Sequence, residues 1–130
     1  MFTSFHRVKL FYPNSGELNY KGKYGTIHNY PFYENCTVEE YMDSFNSFMV
    51  KANHFEPAII FISCGFDNHK DDHYHALPLT VNEFKTMTKE LCILANKYCN
   101  GRLISVLEGG YTPSVVADCA SVHINELLNN

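Results

Sequence analysis

Apolar and polar positions follow two regular rhythms along this chain and one irregular one. From Val38, apolar residues recur at Tyr41, Met42, Phe45, Phe48, Met49 and Ala52. That spacing predicts an amphipathic helix over roughly 38–53. Thr37-Val38-Glu39-Glu40 opens it as a capping box, the threonine hydroxyl accepting from the Glu40 N–H while the glutamate reaches back. After Pro57, Ala58-Ile59-Ile60-Phe61-Ile62-Ser63 is a short unbroken apolar run. It predicts a strand buried on both faces, as in a parallel sheet. About sixteen polar, histidine-rich residues follow, from Cys64 to Leu79.

A second capping box, Thr80-Val81-Asn82-Glu83, leads into a helical pattern at Val81, Phe84, Thr88, Leu91, Cys92, Ala95 and Tyr98. Asn100-Gly101 should stop it with a left-handed C-cap. Leu103-Ile104-Ser105-Val106-Leu107 predicts the next buried strand, and Glu108-Gly109-Gly110-Tyr111 a turn. Thr112-Pro113 should cap and start a last helix to about Leu128. The order helix, strand, helix, strand, helix predicts an α/β fold, a parallel sheet flanked by helices with right-handed crossovers. The first third is aromatic and irregular, with Phe2, Phe5, Phe11, Tyr12, Tyr20 and Tyr24 among prolines and glycines. It reads as short strands and ordered loops.

Composition narrows the class. With 45% hydrophobic residues and a net charge of −4 over 130 residues, the chain has too much apolar content for disorder. The mild acidity argues against direct nucleic-acid binding, which normally needs a basic stripe. No apolar run reaches the roughly 18 residues of a membrane helix, and no signal-peptide pattern follows Met1, so no membrane partner is expected. The five cysteines, at 36, 64, 92, 99 and 119, form no CxxC pair. They read as free thiols in a reducing compartment. Asn35-Cys36-Thr37 matches a glycosylation sequon, a pattern frequent by chance.

Ligands of parallel α/β sheets bind at the carboxyl ends of the strands. Two loops take that position here: Ser63 to His75, and Glu108 to Tyr111. The crossover rule sets both on one edge of the sheet, so Asp67 and Tyr111 can face one site. The first loop holds Asp67, Asp71 and Asp72 with His69, His73 and His75. Such side chains are ligands of zinc, manganese or iron(II), and equally the makings of a solvated loop. Asp67 stands out, four residues beyond a predicted buried strand. Tyr111 follows two glycines that let the backbone approach a ligand. It either packs over the start of the last helix or offers its hydroxyl to a developing oxyanion.

These residues resemble a known family. Ile62-Ser63-Cys64-Gly65-Phe66-Asp67-Asn68-His69-Lys70-Asp71-Asp72, then Leu77-Pro78-Leu79-Thr80, then Leu103 through Gly109-Gly110-Tyr111, resemble the zinc-dependent histone deacetylases. The likeness is greatest to the class II type and its bacterial amidohydrolase relatives. Ser4-Phe5-His6 and Phe11-Tyr12-Pro13-Asn14-Ser15-Gly16 look like the family's serine-leucine-histidine strand end and its FYPGTG loop.

The resemblance implies an arginase/deacetylase-like fold and zinc-dependent hydrolysis of acetyl-lysine amides in histones or other proteins. It implies Asp67 as a zinc ligand and Tyr111 as the catalytic hydrogen-bond donor to the substrate carbonyl. Tyr12 would line the acetyl-lysine channel, and Gly109 and Gly110 would shape the pocket floor. Ser4 and Phe5 would help hold a structural potassium ion. Corepressor proteins are implied as partners, and the nucleus, the cytoplasm or both as the location. The tyrosine at 111, rather than the histidine of weakly active vertebrate class IIa enzymes, favours a competent oxyanion site.

Where the family continues its first loop as Asp-Pro-Leu-Gly-Gly, this chain has Asp72-His73-Tyr74-His75-Ala76. His73 and His75 are not family ligands, and Asn14-Ser15-Gly16 replaces a glycine-threonine-glycine turn. The family's histidine dyad and Asp-x-His motif, lying before the serine-histidine strand end, are not found in these residues, and His6, His28, His54 and His123 sit in no such motif. The expectation is therefore the carboxyl-terminal part, residues 1–130, of one deacetylase catalytic domain, incomplete in its sheet and inactive alone. The alternatives are a non-catalytic truncated homologue that acts as a binding module, and an acetylpolyamine deacetylase.

Overall fold

The computed structural model describes residues 1–8, 14–74 and 77–130. They form two compact units, Met1–Phe55 and Glu56–Asn130.

The first unit turns the aromatic third of the chain into a parallel pair of strands. Strand β1 (Phe2–Arg7) pairs with β2 (Ile27–Phe32), Phe2 opposite Ile27 and Arg7 opposite Phe32. Helix α1 (Val38–Phe55) follows behind the expected capping box, in which the Thr37 N–H donates to Glu40 Oε2 at 2.8 Å. The helix buries Tyr41, Phe45 and Ala52. Phe5 of β1 stacks on its register partner Tyr30 at 4.8 Å and meets Tyr41 at 5.6 Å and Phe48 edge-on at 5.7 Å. Phe5, Tyr30 and Phe32 of the strands thus form, with Tyr41, Phe45 and Phe48 of the helix, the core that joins them, while Phe2, Tyr20 and Tyr24 stay exposed.

The second unit follows the predicted order. Strand β3 (Ile60–Cys64), helix α2 (Val81–Cys99), strand β4 (Leu103–Leu107) and helix α3 (Pro113–Asn129) make a strand-helix-strand crossover and a closing helix. β3 and β4 run parallel, Ile60 opposite Leu103 and Cys64 opposite Leu107. At the start of α2 the Thr80 N–H donates to Glu83 Oε2 at 2.8 Å, and the Thr80 hydroxyl accepts from the Asn82 N–H. The helix ends at Asn100 with φ of 50°, the expected left-handed cap. Removing the cap side chain with Thr80→Ala should lower stability by about 1 kcal/mol, read as an earlier urea midpoint at unchanged slope.

Three expectations need correction. The strands are parallel and flanked by helices as expected, but among the described residues they pair as two two-stranded sheets rather than one. Strands β3 and β4 are not buried on both faces: Phe61 is 68% exposed and Val106 52%. Within the unit, α3 reaches the opposite face, where His123 meets Ser105, and among the described residues Phe61 and Val106 stay exposed on the other. Thr112 occupies the N-cap position of α3, but its side chain caps nothing. Its hydroxyl instead accepts from the His73 N–H at 2.8 Å.

All five cysteines are free, with Cys92, Cys99 and Cys119 buried. Burial above all, then the nearby Asp118 and Cys64, pushes the Cys119 thiol up to about 11, leaving it unreactive. No helix among the described residues is long and apolar enough to cross a membrane.

Candidate functional site at the carboxyl ends of β3 and β4

The two loops predicted to carry chemistry leave the same edge of the β3-β4 pair and bind each other at once. The Glu108 N–H donates to the Cys64 carbonyl at 3.1 Å, and the Phe66 N–H to the Gly109 carbonyl at 2.9 Å. The first loop then winds through two successive turns, His69 N–H to Phe66 carbonyl and Asp72 N–H to His69 carbonyl, each 3.0 Å. That winding sends Phe66, His69 and Asp72 inward, all three buried. Phe66 meets the ring of Phe84 on α2 edge-on at 5.3 Å. This is a wound, packed loop, not a solvated one.

Asp67 sits between the buried anchors, with its carboxylate against the glycines. A Cβ placed on Gly109 would lie 2.6 Å from Asp67 Oδ2, and one on Gly65 would lie 2.8 Å from Oδ1. Glycine at 109 leaves the room that the Asp67 carboxylate fills, and a side chain there would force that carboxylate to move. Burial raises the Asp67 carboxyl above its ordinary value; its own N–H partly offsets this, and the negative Asp72 adds to it.

Asp72 has the opposite balance. Burial would raise its carboxyl, but N–H groups of Tyr111, Tyr74 and Thr112 and the Thr112 hydroxyl outweigh it and hold the carboxyl low. The Tyr111 N–H donates to Oδ2 at 2.7 Å, the Thr112 N–H to the same oxygen at 2.9 Å, and the Tyr74 N–H to Oδ1 at 3.1 Å. Three backbone donors satisfy a buried carboxylate without a cation.

Tyr111 is more than half exposed. The backbone before it is constrained: Gly110 has φ of 128°, and a Cβ there would lie 2.8 Å from Val116 Cγ2. Only glycine adopts that conformation without strain.

The structure therefore brings Asp67 to Gly109, and Asp72 to the backbone of Tyr111. Ser4 and Phe5 lie on β1 in the first unit, and Tyr12 lies outside the described residues, as does His75. Of the other loop histidines, His69 is a core residue. Its ring lies parallel to that of Phe84 at 6.4 Å, and its Nδ1 accepts from the Asp71 N–H at 3.1 Å. His73 is exposed, with its ring edge-on to Tyr74 at 5.0 Å.

Metal chemistry can be tested against these donors. Among the described residues no three His, Cys, Asp or Glu side chains gather where a metal ion could be held. A zinc centre takes at least three protein ligands, so the described residues, with Asp67 as one oxygen donor, do not fit a complete one. For potassium, the Ser4 hydroxyl lies 2.9 Å from His6 Nδ1, and two donors from Ser4 and Phe5 are part of a coordination shell at most. No step is assigned to either ion.

One buried polar group escaped the motif-based reading. His123, on α3, bridges the Thr88 hydroxyl of α2 at 2.7 Å and the Ser105 hydroxyl of β4 at 2.8 Å. Thr88 also donates to the Phe84 carbonyl, so it accepts from His123 Nδ1–H, and His123 Nε2 accepts from Ser105. Burial lowers the pKa of this imidazole and keeps it neutral.

A parallel strand-helix-strand unit whose carboxyl-end loops gather a buried carboxylate, a glycine pair and an exposed tyrosine is the class of α/β protein that binds ligands at its strand ends. Comparison with known proteins gives the family. The histone deacetylase domain model matches residues 1–127, and the chain belongs to that family of hydrolases. It is 35% identical over 103 residues to type-2 histone deacetylase 1 of Dictyostelium discoideum, an alignment covering 79% of this chain and 7% of that protein. It is 36% identical over 117 residues to a probable deacetylase of Archaeoglobus fulgidus, covering 86% of this chain and 32% of the relative. The solved structure of the histone deacetylase Clr3 superposes with a TM-score of 0.85 at 27% identity, over 98% of this chain and 22% of that one. The parallel α/β architecture is thus that of the deacetylases. The chain spans less than a third of the length of these relatives.

Proposed function

We propose that residues 1–130 serve as the carboxyl-terminal part of a zinc-dependent deacetylase catalytic domain that hydrolyses acetyl-lysine amides in histones or other proteins, in the nucleus, the cytoplasm or both. One observation carries the reading. The Asp67 carboxylate is seated on Gly109, and two residues further along that loop Tyr111 is held through its backbone by Asp72. In this reading Asp67 offers one of the zinc ligands, the others coming from outside the described residues. By resemblance to the family, Gly109 and Gly110 would shape the pocket floor and Tyr12 would line the acetyl-lysine channel.

The chemistry assigned to this chain's own side chains is limited. Amide hydrolysis passes through a tetrahedral centre whose oxygen gains negative charge. A tyrosine hydroxyl fixed beside that oxygen donates a hydrogen bond that strengthens as the charge develops. Tyr111 suits the task because its backbone is pinned while its side chain projects toward solvent.

The test is hydrolysis of an acetyl-lysine peptide by the complete catalytic domain this reading requires. Tyr111→Phe should lower kcat about 10²- to 10³-fold with little change in KM. Asp67→Asn should abolish the chelator-sensitive activity. Full hydrolysis in both variants would sink the reading, and hydrolysis of acetylpolyamines in place of peptides would redirect it to the polyamine branch.

A further inference from the structure

Two of the residues that depart from the family pattern after Asp72, His73 and Tyr74, touch Thr112 and Tyr111. A proline at 73 has no N–H to give, yet here the His73 N–H donates to the Thr112 hydroxyl at 2.8 Å. The Tyr74 ring, standing where the family pattern has leucine, meets the Tyr111 ring edge-on at 4.8 Å and 83°. Between these contacts the buried Asp72 carboxylate takes the backbone N–H groups of Tyr111 and Thr112 on one oxygen and that of Tyr74 on the other. Three consecutive residues of one loop therefore hold two consecutive residues of the other.

We propose that Asp72, His73 and Tyr74 form a clamp that sets the position of Tyr111, with Asp72 as its central positioning residue. Asp72 fixes where the Tyr111 backbone sits, and the edge of the Tyr74 ring limits how the phenol swings. Gly110 makes the clamp necessary. A glycine carries no Cβ to restrict its torsions, so its φ of 128° is held by what is tied down on either side of it. The thirty-nine-residue span between Asp72 and Tyr111 means that this tie is tertiary and not local turn chemistry. The clamp itself rests on hydrogen bonds, and its catalytic consequence rests on the deacetylase reading.

Two sets of measurements separate these. In the isotope-labelled 130-residue chain, amide exchange at Tyr111 and Thr112 and the ring signals of Tyr111 report the clamp, and the Leu94 amide in the middle of α2 reports the fold. Asp72→Ala should speed exchange at Tyr111 and Thr112 about tenfold or more and leave Leu94 unchanged. Tyr74→Leu, an exposed substitution, should move the Tyr111 ring signals by removing the neighbouring ring current. Unchanged exchange at Tyr111 and Thr112 in Asp72→Ala overturns the proposal, and unmoved ring signals in Tyr74→Leu overturn the part assigned to that ring.

If Asp72→Ala does not fold, Asp72→Asn decides, because its amide oxygen keeps the acceptor for Tyr111 and Thr112 while its NH2 group opposes the Tyr74 N–H. Faster exchange confined to Tyr74 supports the clamp, and faster exchange spread to Leu94 overturns it. In the complete catalytic domain Asp72→Ala, which removes the acceptor for Tyr111, should lower kcat several-fold at constant KM, a split that a purely structural residue would not give. If no deacetylase activity is found in the unsubstituted domain, the functional reading fails while the exchange data still decide the clamp.

Discussion

Gly109→Ala should disable the site while leaving most of the fold in place. The added methyl would lie 2.6 to 2.8 Å from three atoms of the Asp67 carboxylate, closer than nonbonded carbon and oxygen tolerate. Something must shift, and the carboxylate is the softer partner. The Gly109 backbone is held by the Phe66 N–H on its carbonyl, and the Cys64-Glu108 bond lies one residue earlier. Overpacking of this kind costs about 1–3 kcal/mol of stability. The functional loss should be larger, about 10²-fold in hydrolysis, because displacing a catalytic group by an ångström has effects of that order. The Asp67 carboxyl carbon resonance and the hydrolysis rate, followed together, check this. A variant with an unmoved Asp67 signal and full rate would show that the glycine is not there for the carboxylate.

His123→Ala should produce the largest loss of stability, about 3 kcal/mol, by opening a cavity among α2, α3 and β4 and leaving the Thr88 and Ser105 hydroxyls short of a partner. The same histidine sets a pH dependence. Its folded pKa lies below the unfolded value of 6.5 because burial penalises the charged ring. Above that value both states are neutral and the contribution is fully present. As pH falls below 6.5 the unfolded chain takes up the proton first, so stability declines, by at most about 1.4 kcal/mol per pH unit from this group, until the folded pKa is reached. Urea midpoints from pH 8 to pH 5 should show this decline in the parent protein and a flatter profile in His123→Ala. A decline equally steep in the parent and in His123→Ala would show that another group sets it.

The elements with local punctuation were legible in the sequence. The threonine-glutamate boxes at 37–40 and 80–83 and the Asn100-Gly101 stop are chemistry within a few residues of where it acts, and all three form as read. The order of β3, α2, β4 and α3, and the meeting of the two loops at one sheet edge, followed from parallel topology. Thr112 was misread because its hydroxyl has two possible uses, and the distant His73 N–H wins over its own helix.

The exposed face of β3 and β4 could not be read either. An unbroken apolar run looks the same whether one face or both are covered, and only the packing of α3 on the Ser105 side separates the cases. In the histidine-rich loop, Asp71 and Asp72 look interchangeable. Yet Asp71 pairs with Lys70 at the surface, while Asp72 is buried on backbone donors. The spacing of Phe66, His69 and Asp72 at every third residue was the available signal of a wound loop. It is visible once turns rather than ligands are looked for.

The parallel pairing has a kinetic side. Ile60 and Leu103 lie about forty residues apart, and no hairpin can bring them together, so the chain must close a long loop before the first β3-β4 hydrogen bond forms. Helix α2 sits inside that loop, and its own nucleus is the capped turn at Thr80. Once α2 has formed, nineteen residues of flexible chain become a short rod, and the closure entropy left to overcome falls. The second unit should therefore fold helix first and sheet last, with the Asp67-Gly109 seat, which needs both strands in register, forming after α2.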